Sequence, residues 1–64
     1  MDEPKVGDWV SVQTYGGHID EGKVIKIQRN AAGSLIAFTI TSWPMHHHRE
    51  FMMADKHMIY EISK

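Results

Sequence analysis

The most regular pattern in this chain is Ser-Leu-Ile-Ala-Phe-Thr-Ile-Thr-Ser, which occupies residues 34–42. Successive side chains of a β-strand point to opposite faces, so large apolar residues at every second position predict a strand with one buried face. The large apolar residues on one face are Ile36, Phe38 and Ile40. Ala37, Thr39 and Thr41 fall on the other face. The pattern therefore predicts a half-buried strand from Ser34 to Ser42.

Two similar strands are predicted upstream of this one. From Gly22 to Arg29, Ile25 and Ile27 alternate with polar residues, and from Asp8 to Thr14, Val10 and Val12 do the same. The segment Asn30–Ser34 between the second and third strands is rich in turn-forming residues, and its Gly33 can adopt a positive φ. The second and third strands are therefore expected to form a β-hairpin.

The C-terminal part of the chain is predicted to add two more strands. Trp43-Pro44 ends the third strand, because proline cannot donate a ladder hydrogen bond. His48 to Met53 is predicted as a fourth strand with Phe51 and Met53 facing inward, and Met58 to Ile62 as a fifth. Ala54 to His57 suits a single tight helical turn, with Asp55 capping it locally. A helix from Arg49 to Tyr60 is the competing interpretation, since Phe51, Met52, Lys56 and Tyr60 would fall about one helical turn apart.

Five short strands separated by turns predict an all-β fold, a small five-stranded barrel that forms a single domain over residues 1–64. A chain of 64 residues buries only about 60% of the surface that its unfolded form exposes, so its core is thin. The residues expected in that core are Val10, Val12, Ile25, Ile27, Ile36, Phe38, Ile40 and Phe51.

The first half of the chain resembles the opening hairpin of SH3-like barrels, in the style of the KOW and Tudor-like branches. The resemblance is carried by Val-Gly-Asp-Trp-Val-Ser-Val at residues 6–12 and by Glu-Gly-Lys-Val-Ile-Lys-Ile at residues 21–27. It implies an SH3-like barrel with a tight turn before the last strand. Barrels of this type serve many functions, so the resemblance implies a fold more than an activity.

Composition narrows the possible functions. Seven Lys and Arg against eight Asp and Glu give a net charge of −1, which argues against a dedicated duplex-DNA binder. The absence of cysteine removes disulfides and thiolate chemistry. No apolar run approaches the length of a membrane span, and the acidic N-terminus does not resemble a signal peptide. We therefore expect a cytoplasmic protein that does not act at a membrane.

No arrangement of residues indicates catalysis, since serines, histidines and carboxylates occur without the spacing of a nucleophile and its base. Met58-Ile59-Tyr60 is similar to the Gln-Ile-Tyr strand of plasmid-borne dihydrofolate reductases, which assemble four small SH3-like barrels. Met58 stands where that family has a ligand-contacting glutamine. The sequence thus predicts a protein that is not an enzyme and has no cofactor and no small-molecule substrate.

The preferred functional hypothesis is a non-catalytic adaptor or regulator that binds another protein or a second copy of itself. So small a barrel cannot bury all of its aromatic and methionine side chains, and exposed apolar patches usually contact other proteins. The residues predicted to form this protein-binding patch are Trp9, Tyr15, Trp43, Met45 and Met52, with Trp43 as the anchor. An aromatic cage is the other possibility for the aromatic side chains Trp9, Tyr15, Trp43, Phe51 and Tyr60.

The alternative hypothesis is a KOW-like module that binds RNA or single-stranded DNA. Its predicted contact residues are Lys23, Lys26, Arg29 and Arg49, which would have to lie on one face. Asp20 and Glu21 oppose this, because carboxylates in the first loop repel phosphates.

The run of histidines from His46 to His48 is a further feature. Alternate residues of an extended segment point the same way, so His46 and His48 could bind a metal ion together. The Cys and carboxylate ligands that normally complete a structural site are missing at suitable spacing, so the sequence predicts no physiological metal site.

Overall fold

The computed structural model describes residues 3–42 and 45–63, and these residues contain five β-strands: β1 Trp9–Gln13, β2 Ile19–Arg29, β3 Leu35–Ser42, β4 His47–Met52 and β5 Ile59–Ser63. They form one antiparallel sheet in the order β4-β3-β2-β1-β5. The all-β prediction is confirmed. In the described ranges no helix is long and apolar enough to cross a membrane.

The strands agree with the sequence prediction to within a few residues at each end. The competing helix from Arg49 to Tyr60 is wrong, because β4 and β5 occupy most of that segment. The expected helical turn at Ala54–His57 is not confirmed. Two tight turns meet there at Asp55, whose N–H donates to the Met52 carbonyl and whose own carbonyl accepts from Met58 N–H at 3.3 Å. The Asp55 carboxylate accepts a hydrogen bond from the His57 N–H, which stabilises this segment locally.

The core lies on one face of the sheet, which we call the inner face. Its buried members are Val10, Val12, Val24, Phe38, Ile40 and Phe51. Phe38 is central, since its ring lies 5.6 Å from that of Phe51 and 5.7 Å from that of Tyr60, measured between centroids. Ile27 and Ile36, also predicted to be core residues, are only half-buried.

The prediction of Ile25 as a core residue is wrong, since its side chain is 40% exposed and Val24 is buried instead. The cause is a β-bulge in β2, where Val24 faces Ile40 but Lys26 faces Thr39 on β3. A bulge inserts one extra residue and so shifts the inward and outward alternation by one position. Inward positions in β2 therefore run through Val24 and then Ile27.

Gly22 is required because β2 and β3 approach each other closely at this point. It pairs with Ser42, and a Cβ atom built on Gly22 would lie 1.8 Å from the Thr41 carbonyl oxygen. No side chain fits there, and the obstructing atom belongs to the backbone. This close approach is visible only in the fold, because it depends on how β2 pairs with β3.

The β2–β3 connection is the hairpin that the sequence predicts. The side-chain oxygen of Asn30 accepts hydrogen bonds from the N–H groups of Ala32 and Ser34, both at 3.0 Å. Gly33 has a φ of 85°, which suits glycine because it has no Cβ. Asn30 and Gly33 together fix the register of β2 against β3.

The sheet curls around its core but is not closed. β4 and β5 are the two ends of the strand order. An ion pair joins Arg49 on β4 to Asp20 on β2 at 2.5 Å, across the intervening β3. The Arg49 guanidinium also lies 5.3 Å from the centroid of the Phe51 ring. These contacts hold the curled end of the sheet over the inner face.

Candidate binding surface

Strands β2, β1 and β5 carry a row of exposed residues on the outer face, the face turned away from the core. Gln13 pairs with Ile19 on one side and with Ile59 on the other. Directly paired residues of an antiparallel sheet point to the same face, so the three side chains form one row across the three strands. Ile19 is 65% exposed and Ile59 is 68% exposed. This is unusual for two large aliphatic side chains so close together.

The next row on the same face carries negative charge. Ser11 pairs with Glu21 on β2 and with Glu61 on β5. Two strand spacings separate the Cα atoms of the two glutamates by about 10 Å. Neither carboxylate forms an ion pair with a residue in the ranges 3–42 and 45–63. A small serine thus lies between two exposed carboxylates that have no ion pair within these ranges, and Lys23 lies in the next row beside Glu21.

A shallow depression follows these two rows, and we call it the β1 groove. It is lined by Ser11, Gln13, Ile19, Ile59, Tyr60 and Glu61. The Tyr60 ring lies on the inner face, where it packs against Phe38, so it anchors β5 to the core beneath the groove. The groove is therefore partly apolar, carries acidic groups along one margin, and rests on the core.

Tyr15 and His57 lie at the end of the sheet next to the β1 groove. Tyr15 follows β1 in the loop before β2, and His57 lies in the turn just before Ile59. Their ring centroids are 4.8 Å apart, yet Tyr15 remains 80% exposed. This aromatic pair ties the two loops together and extends the exposed apolar surface beyond Ile19 and Ile59.

The residues predicted to bind a protein do not form one patch. Trp43, the expected anchor, lies outside the described residues. Met45 is 70% exposed in the connection before β4, whereas Met52 ends β4 and is 48% exposed. Trp9 and Tyr15 lie at opposite ends of β1. Of the described members, Tyr15 lies beside the β1 groove, and Trp9 lies on the same face in the row next to Ser11.

The residues predicted to bind nucleic acid are also dispersed. Lys23 and Lys26 lie on the outer face, where Lys26 shares a row with Thr39 and Glu50. Arg29 pairs with Glu3 at 3.5 Å and donates to the Gly33 carbonyl. Arg49 shares the face of Ile40 and is paired with Asp20. Two of the four cations are thus used in ion pairs within the fold.

The histidine run does not gather a ligand set. His46 has a left-handed φ of 57°, and His47 and His48 are exposed at the start of β4. Within the part of the chain that the structure describes, no group of three or more His, Cys, Asp or Glu side chains could hold a metal ion.

Sequence reasoning missed Ile19, Ile59 and Glu61, which line the groove, and Glu21, which lies beside it opposite Ser11. A signal was present for the last strand, where Ile59 and Glu61 fall on the face opposite Tyr60. The alternation of apolar residues predicts that β2 starts at Gly22, which leaves Ile19 and Glu21 in the preceding loop, whereas β2 begins three residues earlier.

Comparison with protein-family models, with curated protein sequences and with solved structures found no match to this chain.

Proposed function

We propose that this chain is a small non-catalytic protein-binding domain of the SH3-like barrel type, acting as an adaptor or regulator. The barrel assignment is supported by the opening hairpin at residues 6–27 and by the strand order β4-β3-β2-β1-β5 of the antiparallel sheet. The hairpin resembles the KOW and Tudor-like branches of that fold.

The observation that carries the proposal is the exposed apolar surface around the β1 groove. Ile19 and Ile59 flank Gln13, and Tyr15 lies at the adjoining end of the sheet. Fully burying an isoleucine side chain contributes roughly 1.5–3 kcal/mol, so covering these two, each about two-thirds exposed, would contribute roughly 2–4 kcal/mol. That is a substantial part of the roughly 8 kcal/mol of a micromolar complex. A protein partner that also covers Tyr15 supplies further apolar contact.

The competing nucleic-acid hypothesis receives less support from the same geometry. Phosphate binding depends on cations gathered along one surface. Here Arg29 and Arg49 are committed to ion pairs, and Lys23 lies next to the row that contains Glu21. A flexible single strand that crosses the outer face of β2 would therefore meet the Glu21 carboxylate beside Lys23.

Affinity capture with matched variants tests the proposal. Wild type is compared with the double variant Ile19→Ser/Ile59→Ser and with Met45→Ser as the control, since Met45 is equally exposed but precedes β4. We expect the amount of captured protein, quantified by mass spectrometry, to fall at least tenfold with the double variant and to be unchanged with the control. Circular dichroism and thermal unfolding establish that all variants are folded.

Two results would contradict the proposal. Loss with Met45→Ser and retention with Ile19→Ser/Ile59→Ser would place the interface on the methionine side. Fluorescence polarisation with labelled single-stranded RNA and DNA tests the nucleic-acid hypothesis. Micromolar binding with a steep salt dependence that Lys23→Glu/Lys26→Glu abolishes would favour nucleic acid.

A further inference from the structure

We infer that the β1 groove receives a lysine or arginine side chain from an extended segment of the partner, with an apolar residue beside it. This inference rests on the proposed function and specifies the chemistry of the partner. It follows from two independent features of the groove, its unpaired carboxylates and its exposed isoleucines.

Three described glutamates, Glu21, Glu50 and Glu61, form no ion pair within the described ranges, and of these Glu21 and Glu61 lie on either side of Ser11. Glu3 pairs with Arg29 and Asp20 with Arg49, while Asp8 and Asp55 accept hydrogen bonds from the backbone N–H groups of Lys5 and His57. Glu21 and Glu61 have no such ion pair within residues 3–42 and 45–63. They are available to an incoming cation.

The spacing of the two glutamates suits a single cation. Their Cα atoms are about 10 Å apart across Ser11, and a glutamate side chain reaches about halfway across that span. The short Ser11 side chain leaves room above it. An ammonium or guanidinium group placed over Ser11 would therefore meet a carboxylate from each side, whereas an anionic ligand would be repelled by both.

The isoleucines select an amphipathic side chain over a free cation. Lysine and arginine carry a long aliphatic stem, which packs on apolar surface while the charged head remains polar. Ile19 and Ile59 occupy the row next to the glutamates, one side-chain repeat along the strands. A partner segment in extended conformation presents every second side chain to the same surface, so an apolar residue two positions from the cation would reach these isoleucines.

Peptide selection followed by matched titration tests this inference. Random twelve-residue peptides displayed on phage are selected against the whole chain, and the selected sequences are synthesised with the central basic residue intact or replaced by glutamine. Both forms are titrated, by isothermal calorimetry, against wild type, Glu21→Gln/Glu61→Gln, and Glu50→Gln as the charge-matched control on β4.

The expected result is enrichment of Lys or Arg with an apolar residue two positions away. Replacing the basic residue by glutamine should weaken binding to wild type about tenfold. It should do the same to Glu50→Gln and have little effect with Glu21→Gln/Glu61→Gln. Binding to wild type should also weaken as salt is raised, because the pair is partly exposed.

The failures of the two proposals are distinguishable. Selected peptides that lose binding with Ile19→Ser/Ile59→Ser but ignore the Glu→Gln changes would overturn the cationic partner and leave protein binding intact. Selection that yields no peptide, or only peptides indifferent to every groove variant, would overturn both.

Discussion

Strands β3 and β5 differ in how the fold uses their residues. β3 is an inner strand with a neighbour on each side, and Leu35, Ala37, Phe38 and Ile40 are buried on its two faces. β5 ends the sheet, and none of its residues is fully buried. Tyr60 and Ile62 of β5 only complete the margin of the core.

This difference indicates that the residues that stabilise the fold and the residues available for binding lie largely on different strands. Side chains of β3 are committed to packing, so changing them alters the whole molecule. Outward side chains of β5 contribute little to packing, so they are available for contact with a partner. If this separation is correct, substitutions of buried residues in β3 should strongly affect unfolding, whereas substitutions at the outward positions of β5 should affect binding alone.

Phe38→Ala should have the largest effect. It removes the ring at the centre of the core and leaves a cavity between Phe51 and Tyr60, which costs about 3–5 kcal/mol in unfolding free energy. A 64-residue domain has only about 3–10 kcal/mol in total, so the variant should be largely unfolded. Urea unfolding followed by circular dichroism measures this. Ile59→Ala on β5 is the matched control and should change the unfolding free energy by less than about 0.5 kcal/mol. If both substitutions lowered the unfolding free energy equally, the proposed difference between β3 and β5 would be wrong.

Gly22→Ala should come next, at about 3 kcal/mol. The added methyl group meets the Thr41 carbonyl, so β2 and β3 must separate locally. Lys23→Ala, at the adjacent exposed position, controls for the change in strand propensity and should be nearly neutral. A Gly22→Ala variant as stable as wild type would show that the two strands do not approach as closely as described.

Asn30→Ala should cost about 1 kcal/mol, because two backbone N–H groups lose their shared acceptor in the hairpin. Asn30→Asp keeps an oxygen in the same place and should recover most of the stability. Thermal unfolding of the three proteins measures the series. Equal destabilisation by alanine and aspartate would exclude the acceptor role.

Disrupting the ion pair between Asp20 and Arg49 should have the smallest effect, about 0.5 kcal/mol, because the arginine side chain is about half exposed. A double-mutant cycle with Asp20→Asn and Arg49→Gln isolates the pair, and its coupling should shrink at 1 M salt. A coupling that is unchanged by salt would mean that Arg49 acts through packing on Phe51 instead.

Most of the fold could be predicted from the sequence, because strand alternation is a local signal. Phe38 and Ile40 on β3 and Val10 and Val12 on β1 were placed correctly by period two alone. Ile25 was not, because nothing in the sequence marks the position of a bulge that depends on pairing with Thr39.

The candidate site was less accessible to sequence reasoning. Ile19, Ser11 and Glu61 come together only because β1 pairs with both β2 and β5, which is a property of topology. Sequence reasoning ranked residues by type and so favoured tryptophan and methionine. The groove instead depends on which isoleucine, glutamate, serine and glutamine residues are paired across β2, β1 and β5.

The pairing of Trp9 with Ser63 bears on how the chain folds. The β2–β3 hairpin closes a loop of a few residues, whereas β1 and β5 meet across 54 positions (63 − 9). Long-range pairing carries a larger closure entropy and slows folding. During synthesis, β1 gains β2 as a neighbour early but must wait for the final strand to leave the ribosome. Until then one edge of β1 is open, and the groove that spans it does not yet exist.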